Sequence, residues 1–453
     1  REEGNARPKP NVILILVDDM GWNNVSCYGN AYLQTPNIDR LAREGIKFSQ
    51  AYVTPQCTPT RASLLTGQHT ARVKMWHVIP KYEFPHAFLR EPEYSELLSP
   101  ENLTLGDVMQ SAGYRTALFG KWHLTNPESG IGDYVRLYAD HAQEYGFDEV
   151  DPMTDPPGYH QIGEKGVDFL TDQTIDFIRK DPNQPFFVLL SHHTIHGEVL
   201  APDPLVEKYL KKGFPETGQQ NATYLAALEH LDNSVGRLLG VLDQDGLTQN
   251  TVVIFMSDNG GVDARFDNQP LRAGKGSLYE GGIRTPLLIR YPGEIRPGTV
   301  SDELVEAADL VPTLADLAGL NPRKYQTDGI SFRRVFRGKE LPERSLYWYA
   351  PLYDILWGAT PGAAIRRGKY KLIVNFGDHI DLDRGGAYQI GETTELFDLE
   401  NDLGESTNLA SAQPKVVREM KGQLTAWMKR LDLELPRPNP DYDKDKALVR
   451  GKK

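Results

Sequence analysis

The chain has 453 residues, a formal net charge of −12 and only two cysteines, Cys27 and Cys57. That length supports a large α/β domain with a smaller companion, and 40% hydrophobic with 25% charged residues is ordinary for a globular protein. The acidic balance argues against a general nucleic-acid binder but not against a local basic pocket. Two cysteines make no disulfide framework, which leaves a single Cys27–Cys57 bridge open, and no apolar run approaches the roughly 20 residues of a membrane span. The polar start, REEGNARPKPN, holds no signal-peptide core. It fits a cytosolic beginning or a mature end left after signal removal.

In chain order, residues 12–17 (VILILV) are followed by Asp18-Asp19-Met20-Gly21. Residues 37–44 have helical spacing, and Cys57-Thr58-Pro59-Thr60-Arg61 reads as the start of a further helix, with Pro59 in its first turn. A helical stretch at 104–112 leads to 115–119 (RTALF), which ends in Gly120-Lys121-Trp122-His123. Another helix at 166–179 leads to 186–190 (FFVLL), followed by Ser191-His192-His193-Thr194-Ile195-His196. A long helix at 224–242 precedes 251–256 (TVVIFM), which runs into Ser257-Asp258-Asn259-Gly260-Gly261. Continuous apolar runs of this length read as strands buried on both faces. Their alternation with helices predicts a large, mostly parallel sheet sandwiched by helices. Ligands bind beyond the carboxyl ends of such strands, where all four runs carry their Asp, Lys, His and Asn.

After about residue 340 the texture changes. Residues 346–349, 363–365, 371–374 and 395–398 read as short strands and 416–431 as an amphipathic helix. The expectation is a catalytic α/β domain over 1–340 and a C-terminal α+β subdomain over 341–453, with an antiparallel sheet, one helix and a poorly ordered Pro-rich tail from Pro436.

Adjacent carboxylates repel unless a cation neutralises them. Asp18, Asp19 and Asp258 with the Asn259 amide oxygen are hard donors suited to Ca²⁺ or Mg²⁺ rather than zinc. Asp-Asp and Asp-Asn-Gly are also ordinary turn residues. Lys121, and Lys275 in the Gly-rich GKGSLYEGG, would hold an oxyanion, and His123 and His196 can move protons. Each alone is an ordinary surface lysine or packed histidine. GKGSLYEGG lacks the spacing of a nucleotide-binding loop. Cys57 lies at the positive end of a helix dipole, where a thiolate or bound anion is favoured, and Arg61 lies one turn on. A Cys–His protease leaves the carboxylates without a role, and a buried structural cysteine is the plain alternative.

Cys57-Thr58-Pro59-Thr60-Arg61, continuing ASLLTG, resembles the signature of the type I, formylglycine-dependent sulfatases of the alkaline phosphatase superfamily. NVILILVDDMGWNNVSCYGN, TPNIDRLAREGIKFSQAY, GYRTALFGKWHL, MSDNGG, LRAGKGSLYEGGIRTPLLIRYPG and TELFDLENDLGESTNLA resemble its other blocks, from about Asn11 to about Asp432. The resemblance implies that Cys57 is oxidised to Cα-formylglycine by a maturating enzyme that reads Pro59 and Arg61. It implies that Asp18, Asp19, Asp258 and Asn259 bind Ca²⁺, in preference to Mg²⁺, together with the residue at 57. Arg61 and His123 would hold and activate the aldehyde hydrate. Lys121, His196 and Lys275 would bind the sulfate, and His196 or Lys275 would protonate the leaving alcohol. The implied location is periplasmic or extracellular, or lysosomal in a eukaryote.

Two departures stand out. His193-Thr194-Ile195-His196 lacks the proline of the family's His-x-Pro-His, so His192 and His193 rival His196. Asn23-Asn24 replaces a common Gly-Asp and reads as a structural change. Of the sequons at Asn24, Asn102 and Asn221, the first lies too close to the expected site to carry a glycan. Segments 72–96, 126–163 and 349–361 would form the pocket walls, and their aromatic, Arg, Lys and His content suits an anionic sugar as well as it suits plain packing. The substrate expected is a sulfated glycan or oligosaccharide. The rivals are a phosphonate monoester or phosphodiester hydrolase of the same superfamily and an inactive sulfated-glycan binder.

Overall fold

A run with no residue suited to water on either side must be covered twice, and strand β1 (Asn11–Val17) is buried at every position. Val12, Leu14 and Leu16 enter one core; Ile13, Ile15 and Val17 enter another on the opposite face, as the two-residue repeat of a strand requires. The computed structural model describes residues 8–30, 32–151, 165–354, 357–381 and 386–451.

The next strands are β2 (Ile46–Tyr52), β3 (Leu89–Arg90), β4 (Arg115–Gly120), β5 (Glu149–Val150), β6 (Phe186–Ser191), β7 (Thr251–Ser257), β8 (Arg284–Arg290), β9 (Thr299–Ser301) and β10 (Val305–Glu306). The main sheet runs β10-β2-β8-β7-β1-β6-β4-β5, with β9 also on β2. Strands β7, β1, β6 and β4 are mutually parallel, so their carboxyl ends share one rim. Strand β8 is antiparallel to both β7 and β2, which makes the sheet mostly rather than wholly parallel.

Helices α1 (Pro36–Glu44), α2 (Cys57–Thr66), α3 (Thr70–Val73), α4 (Leu105–Ser111), α5 (Val167–Lys180), α6 (Asp203–Lys211), α7 (Ala222–Gln244), α8 (Glu280–Ile283) and α9 (Leu310–Leu317) separate the strands. Helices α1, α5 and α7 cover one face, through Ile38, Leu170, Phe177 and Leu231 among others. Helices α2, α4 and α9 cover the other, through Leu64, Val108 and Leu314. Each large aliphatic so buried contributes roughly 1.5–3 kcal/mol.

The second sheet uses β11 (Ser345–Ala350), β12 (Gly362–Arg367), β13 (Tyr370–Asn375), a separate hairpin of β14 (Asp378–Asp381) and β15 (Ala387–Ile390), and β16 (Thr393–Asp398). Its order is β11-β12-β13-β16, antiparallel throughout. Helix α10 (Pro414–Arg430) covers it with Met420, Leu424 and Trp427. A buried charged group joins the two sheets. Lys371 Nζ lies 2.9 Å from Glu280 Oε1 and 2.8 Å from Glu405 Oε1, with all three side chains inaccessible.

The expectation of a disordered tail is corrected. Strand β17 (Arg437–Pro438) pairs with β3, and the Asn439 side chain donates to the Pro85 and Ala87 carbonyls. The Cys27–Cys57 bridge does not form, since both thiols are free. The N-terminal residues 1–7, part of the wall segment 126–163 and residues 355–356 of segment 349–361 lie outside the described residues.

Candidate active site

The rim geometry follows from the strands. The Asp18 N–H donates to the Thr194 carbonyl and the Asp258 N–H to the Val17 carbonyl, which lock the ends of β1, β6 and β7 together. Asp19 (φ 63°) and His123 (φ 61°) then take left-handed turns that L-residues seldom adopt. The first turn sets Asp19 against Lys275 and Asn259, and the second sets His123 against Cys57.

Lys275 arrives on a loop that interlocks with the one after β7. Its N–H donates to the Gly261 carbonyl. A Cβ at Gly260 would lie 1.8 Å from the Gly281 carbonyl oxygen, so only glycine permits that approach.

Helix α2 is buried at every position and brings Cys57 in at its first residue. The Gln56 side chain does not cap the helix. It donates to Asp354 Oδ2 at 2.5 Å and accepts from the Val78 N–H at 3.0 Å. From the same helix Arg61 reaches down with Nε and Nη2 to Asp258 Oδ2, at 3.0 and 2.7 Å, and with Nη1 to the Lys121 carbonyl and Ser191 Oγ.

Three buried ion pairs organise the floor. Arg61 pairs with Asp258, Lys121 Nζ lies 2.6 Å from Asp18 Oδ2, and Lys275 Nζ lies 2.6 Å from Asp19 Oδ1. Burial alone would raise Asp18, but Lys121 and the neighbouring His196 and Arg61 outweigh it and hold its carboxyl well below the usual range. Asp19 is lowered in the same way, by Lys275 against burial. Asp258 goes the other way, to about 6, because burial and the nearby Asp18 charge exceed the pull of Arg61.

The thiolate expected at Cys57 is not favoured. Burial raises the thiol above its ordinary value although Lys121 and Lys275 pull it down. Cys57 Sγ lies 3.3 Å from His123 Nδ1. The other ring nitrogen, Nε2, meets the Ile79 carbonyl, which can only accept. The proton is therefore assigned to Nε2, and the Nδ1 lone pair faces position 57. Burial and Lys121 hold His123 well below its ordinary value, hence neutral at pH 7.

Of the three rival histidines, His192 is turned away, and the titratable group acting on it is His230. His193 Nε2 lies 3.7 Å from Asp18 Oδ2, and its ring stacks on His196 at 5.1 Å. Both His193 and His196 therefore stand at the site. Burial lowers His196 to about 4.

The structure thus gathers every predicted residue: Asp18, Asp19, Cys57, Arg61, Lys121, His123, His196, Asp258, Asn259 and Lys275. The residues also fit a cation. Asp18 Oδ1 and Asn259 Oδ1 are buried with no hydrogen-bond partner among the described residues, an expensive state unless something positive meets them. Asp18, Cys57 and Asp258 bring ligand atoms within 4.8 Å of one another.

Sequence reasoning missed Lys165, Arg265, Ser191, Gln56 and Trp357, whose ring lies 5.8 Å from Lys275 Nζ. Position 56 directly precedes the signature, and 357 falls in a named wall segment; nothing in the sequence marks Lys165 or Arg265. Asn23 and Asn24 are structural, as expected. Asn23 donates to the Asp267 and Gln269 carbonyls, and Asn24 accepts from the Gly21 N–H and Tyr224 hydroxyl.

The chain matches the family model described as Sulfatase over residues 10–320 and the model for the N-sulphoglucosamine sulphohydrolase C-terminal region over residues 273–431. A protein called Sulfatase from Formosa agariphila is 32% identical, covering 94% of this chain and 89% of that one. Arylsulfatase A of Homo sapiens is 31% identical, again covering 94% and 89%. The crystal structure of Ps i-CgsB in complex with k-i-k-neocarrahexaose superposes with a TM-score of 0.75 at 25% identity, covering 97% of this chain and 96% of that one.

Proposed function

Because the chain belongs to the sulfatase family and is a sulfuric ester hydrolase, we propose that it releases inorganic sulfate from a sulfated carbohydrate, using a formylglycine made from Cys57 and a bound Ca²⁺. The observation that carries this reading is the meeting of Cys57, at the start of α2, with three ion-paired aspartates and two unpartnered buried oxygens at one strand rim. The carbohydrate is supported by the sugar complex of the similar fold and by the aromatic and basic wall segments.

Asp18, Asp19, Asp258, Asn259 and the residue at 57 would hold the ion. When bound, Ca²⁺ supplies positive charge that favours a deprotonated nucleophile and stabilises sulfuryl oxygens. Formylglycine supplies a hydrated aldehyde, with one hydroxyl to attack sulfur and a second through which the sulfate is later shed.

The remaining steps belong to the chain's own side chains. Arg61 fixes Asp258 and, through the Lys121 carbonyl, the turn that carries His123. The neutral His123 takes a proton at Nδ1, the atom facing position 57. Lys121 and Lys275 direct their ammonium groups into the rim and stabilise charge on the sulfuryl oxygens. His196 Nδ1 lies 3.0 Å from the Gly197 carbonyl, which fixes its tautomer and leaves Nε2 for the substrate. His196, once charged by an incoming anion, or Lys275 delivers the proton to the leaving alcohol.

This reading treats 1–340 as the catalytic unit and 341–453 as a subdomain docked on it, and places the protein in the periplasm, outside the cell or in a lysosome. No helix among the described residues is long and apolar enough to cross a membrane. The test is peptide mass spectrometry across residues 56–61 of protein made with a formylglycine-generating enzyme, followed by sulfate release from a panel of sulfated sugars. An aldehyde at 57 with sugar turnover supports the proposal. A plain thiol, or turnover of aryl sulfates alone, sinks it.

A further inference from the structure

Two cations near the rim have no part in the chemistry above. Lys165 is only 4% exposed. Its Nζ donates to the Gly197 carbonyl at 3.1 Å, and no carboxylate among the described residues pairs with it. Asp18, Lys121, Arg265 and Asp19 are the charged groups that act on it, which places it beside the floor of the site. Burial lowers it to about 8, with Lys121 and Arg265 adding to the shift and Asp18 and Asp19 opposing it.

Arg265 comes from the loop after β7. Its Nη1 lies 3.6 Å from Asp19 Oδ2 and 3.4 Å from the Ile195 carbonyl. Its guanidinium lies against Gly197, where a Cβ would meet Nη2 at 2.1 Å. Lys165 and Arg265 therefore bracket the residue that follows His196. Arg265 is partly open to solvent, with its side chain 29% exposed.

Charge balance gives these two groups a meaning. The three aspartates are matched one for one by Arg61, Lys121 and Lys275. A divalent ion already exceeds the single charge of a sulfate monoester. Lys165 and Arg265 add positive charge beyond both, on the side of the site where His196 meets the leaving alcohol. Holding such charges together is unfavourable without a counter-ion, none is left over for them among the described residues, and an anion on the substrate would supply that charge.

We infer that Lys165 and Arg265 form a second anion subsite, so that the preferred substrate is a sugar carrying a further anionic group, a second sulfate or a uronic carboxylate, beside the ester that is cleaved. The inference deepens the sulfated-carbohydrate reading and rests on it for the identity of the sugar. Lys165 has two ammonium hydrogens left after its bond to Gly197, and Arg265 offers Nη2. Both are strong partners for sulfate or carboxylate oxygens.

The test measures binding separately from turnover. Calorimetric Kd values are taken on Cys57→Ala protein for a monosulfated hexosamine, the corresponding disulfated hexosamine, and a monosulfated disaccharide whose neighbouring unit is a uronic acid. A second anion is expected to tighten binding roughly ten-fold or more, the scale of one charged hydrogen bond. Lys165→Met and Arg265→Met should each erase most of that gain, and Lys165→Arg should retain it. The two anion-bearing ligands show whether sulfate or carboxylate is the better occupant. Equal Kd values across the three sugars would overturn the inference without any Lys165 or Arg265 variant having to fold. A gain that survives both substitutions would overturn it as well. Sulfate release by the mature enzyme on the same sugars is scored independently. Discrimination in binding without release from any sugar would sink the hydrolytic reading and support this subsite.

Discussion

Lys371 holds two buried carboxylates at once, and Lys371→Met removes that charge while keeping most of the side-chain volume. In the native protein its Nζ lies within 2.9 Å of both Glu280 and Glu405. After substitution Glu280 keeps Arg284 at 3.2 Å and the Tyr52 hydroxyl at 2.8 Å. Among the described residues the Glu405 carboxylate keeps the Glu280 N–H, at 2.7 Å, while its backbone is held by Arg272 and Asp402. Breaking a buried pair by removing one partner costs about 3–5 kcal/mol, a large share of the ~5–15 kcal/mol that holds a domain together. Retention of Arg284 places the expected loss near 3 kcal/mol.

The assay is urea denaturation followed by tryptophan fluorescence, with Lys371→Met, Glu405→Gln and the double variant compared. The double variant should recover much of the loss, because the carboxylate left unpaired is gone. The sign with pH is also set. Burial already raises Glu405 to about 7 in the native protein although Lys371 lowers it, and in Lys371→Met the stranded carboxyl is raised further above its unfolded value. The folded state then binds the extra proton, so the deficit must grow as pH rises through neutrality and shrink toward pH 5. A loss under about 1 kcal/mol, below the buried-pair range, or a double variant no better than Lys371→Met, would refute the reasoning.

Other outcomes follow from the site. Burial raises Asp354 to about 7 despite the Gln56 hydrogen bond, so the folded state holds a proton that the unfolded chain releases near pH 4. Its contribution makes stability fall as pH rises from about 4 to 7, and Asp354→Asn should flatten that part of a melting-temperature profile. Chelation should lower the melting temperature and abolish sulfate release, with Ca²⁺ restoring both, because Asp18 Oδ1 and Asn259 Oδ1 have no hydrogen-bond partner among the described residues; indifference to chelator in both assays would remove the ion. His123→Ala in mature protein should lower kcat by roughly 10²–10⁴, read in steady-state kinetics at saturating substrate, and a loss confined to KM would deny it a proton-transfer role.

Much of the site was legible because four strands each combine an apolar run with a polar end, and parallel order brings those ends together. Asp18, Lys121, His196 and Asp258 were placed by that rule alone. Strands β2 and β8 were not. IKFSQAY is only partly buried, and RTPLLIR contains Pro286, which has no N–H for a ladder. The β2–β8 register shifts between Phe48 and Ala51, opposite that proline.

Lys165 and Arg265 escaped because neither sits at a strand end. They reach the rim on connections whose course depends on packing around Gly197. The tail was misjudged because proline-rich composition says nothing of a partner, and Asn439 finds one in the carbonyls of residues 85 and 87. His193 and His196 could not be separated by spacing, and both proved to lie at the site.

Helix α2 has a consequence for the protein's biosynthesis. Every residue from Cys57 to Thr66 is buried, so an enzyme that had to grip Pro59 and Arg61 could not reach them once the domain has closed. If Cys57 is converted to formylglycine as proposed, the change would have to happen while the segment is still extended, before Ser191 and Asp258, more than a hundred residues downstream, arrive to bond Arg61. Folding and modification then compete for the same stretch of chain. A variant that folds faster, or a host in which the modifying enzyme is scarce, would accumulate a well-folded and permanently inert product. For such a protein, specific activity reports the outcome of a race during synthesis as much as the quality of the finished site.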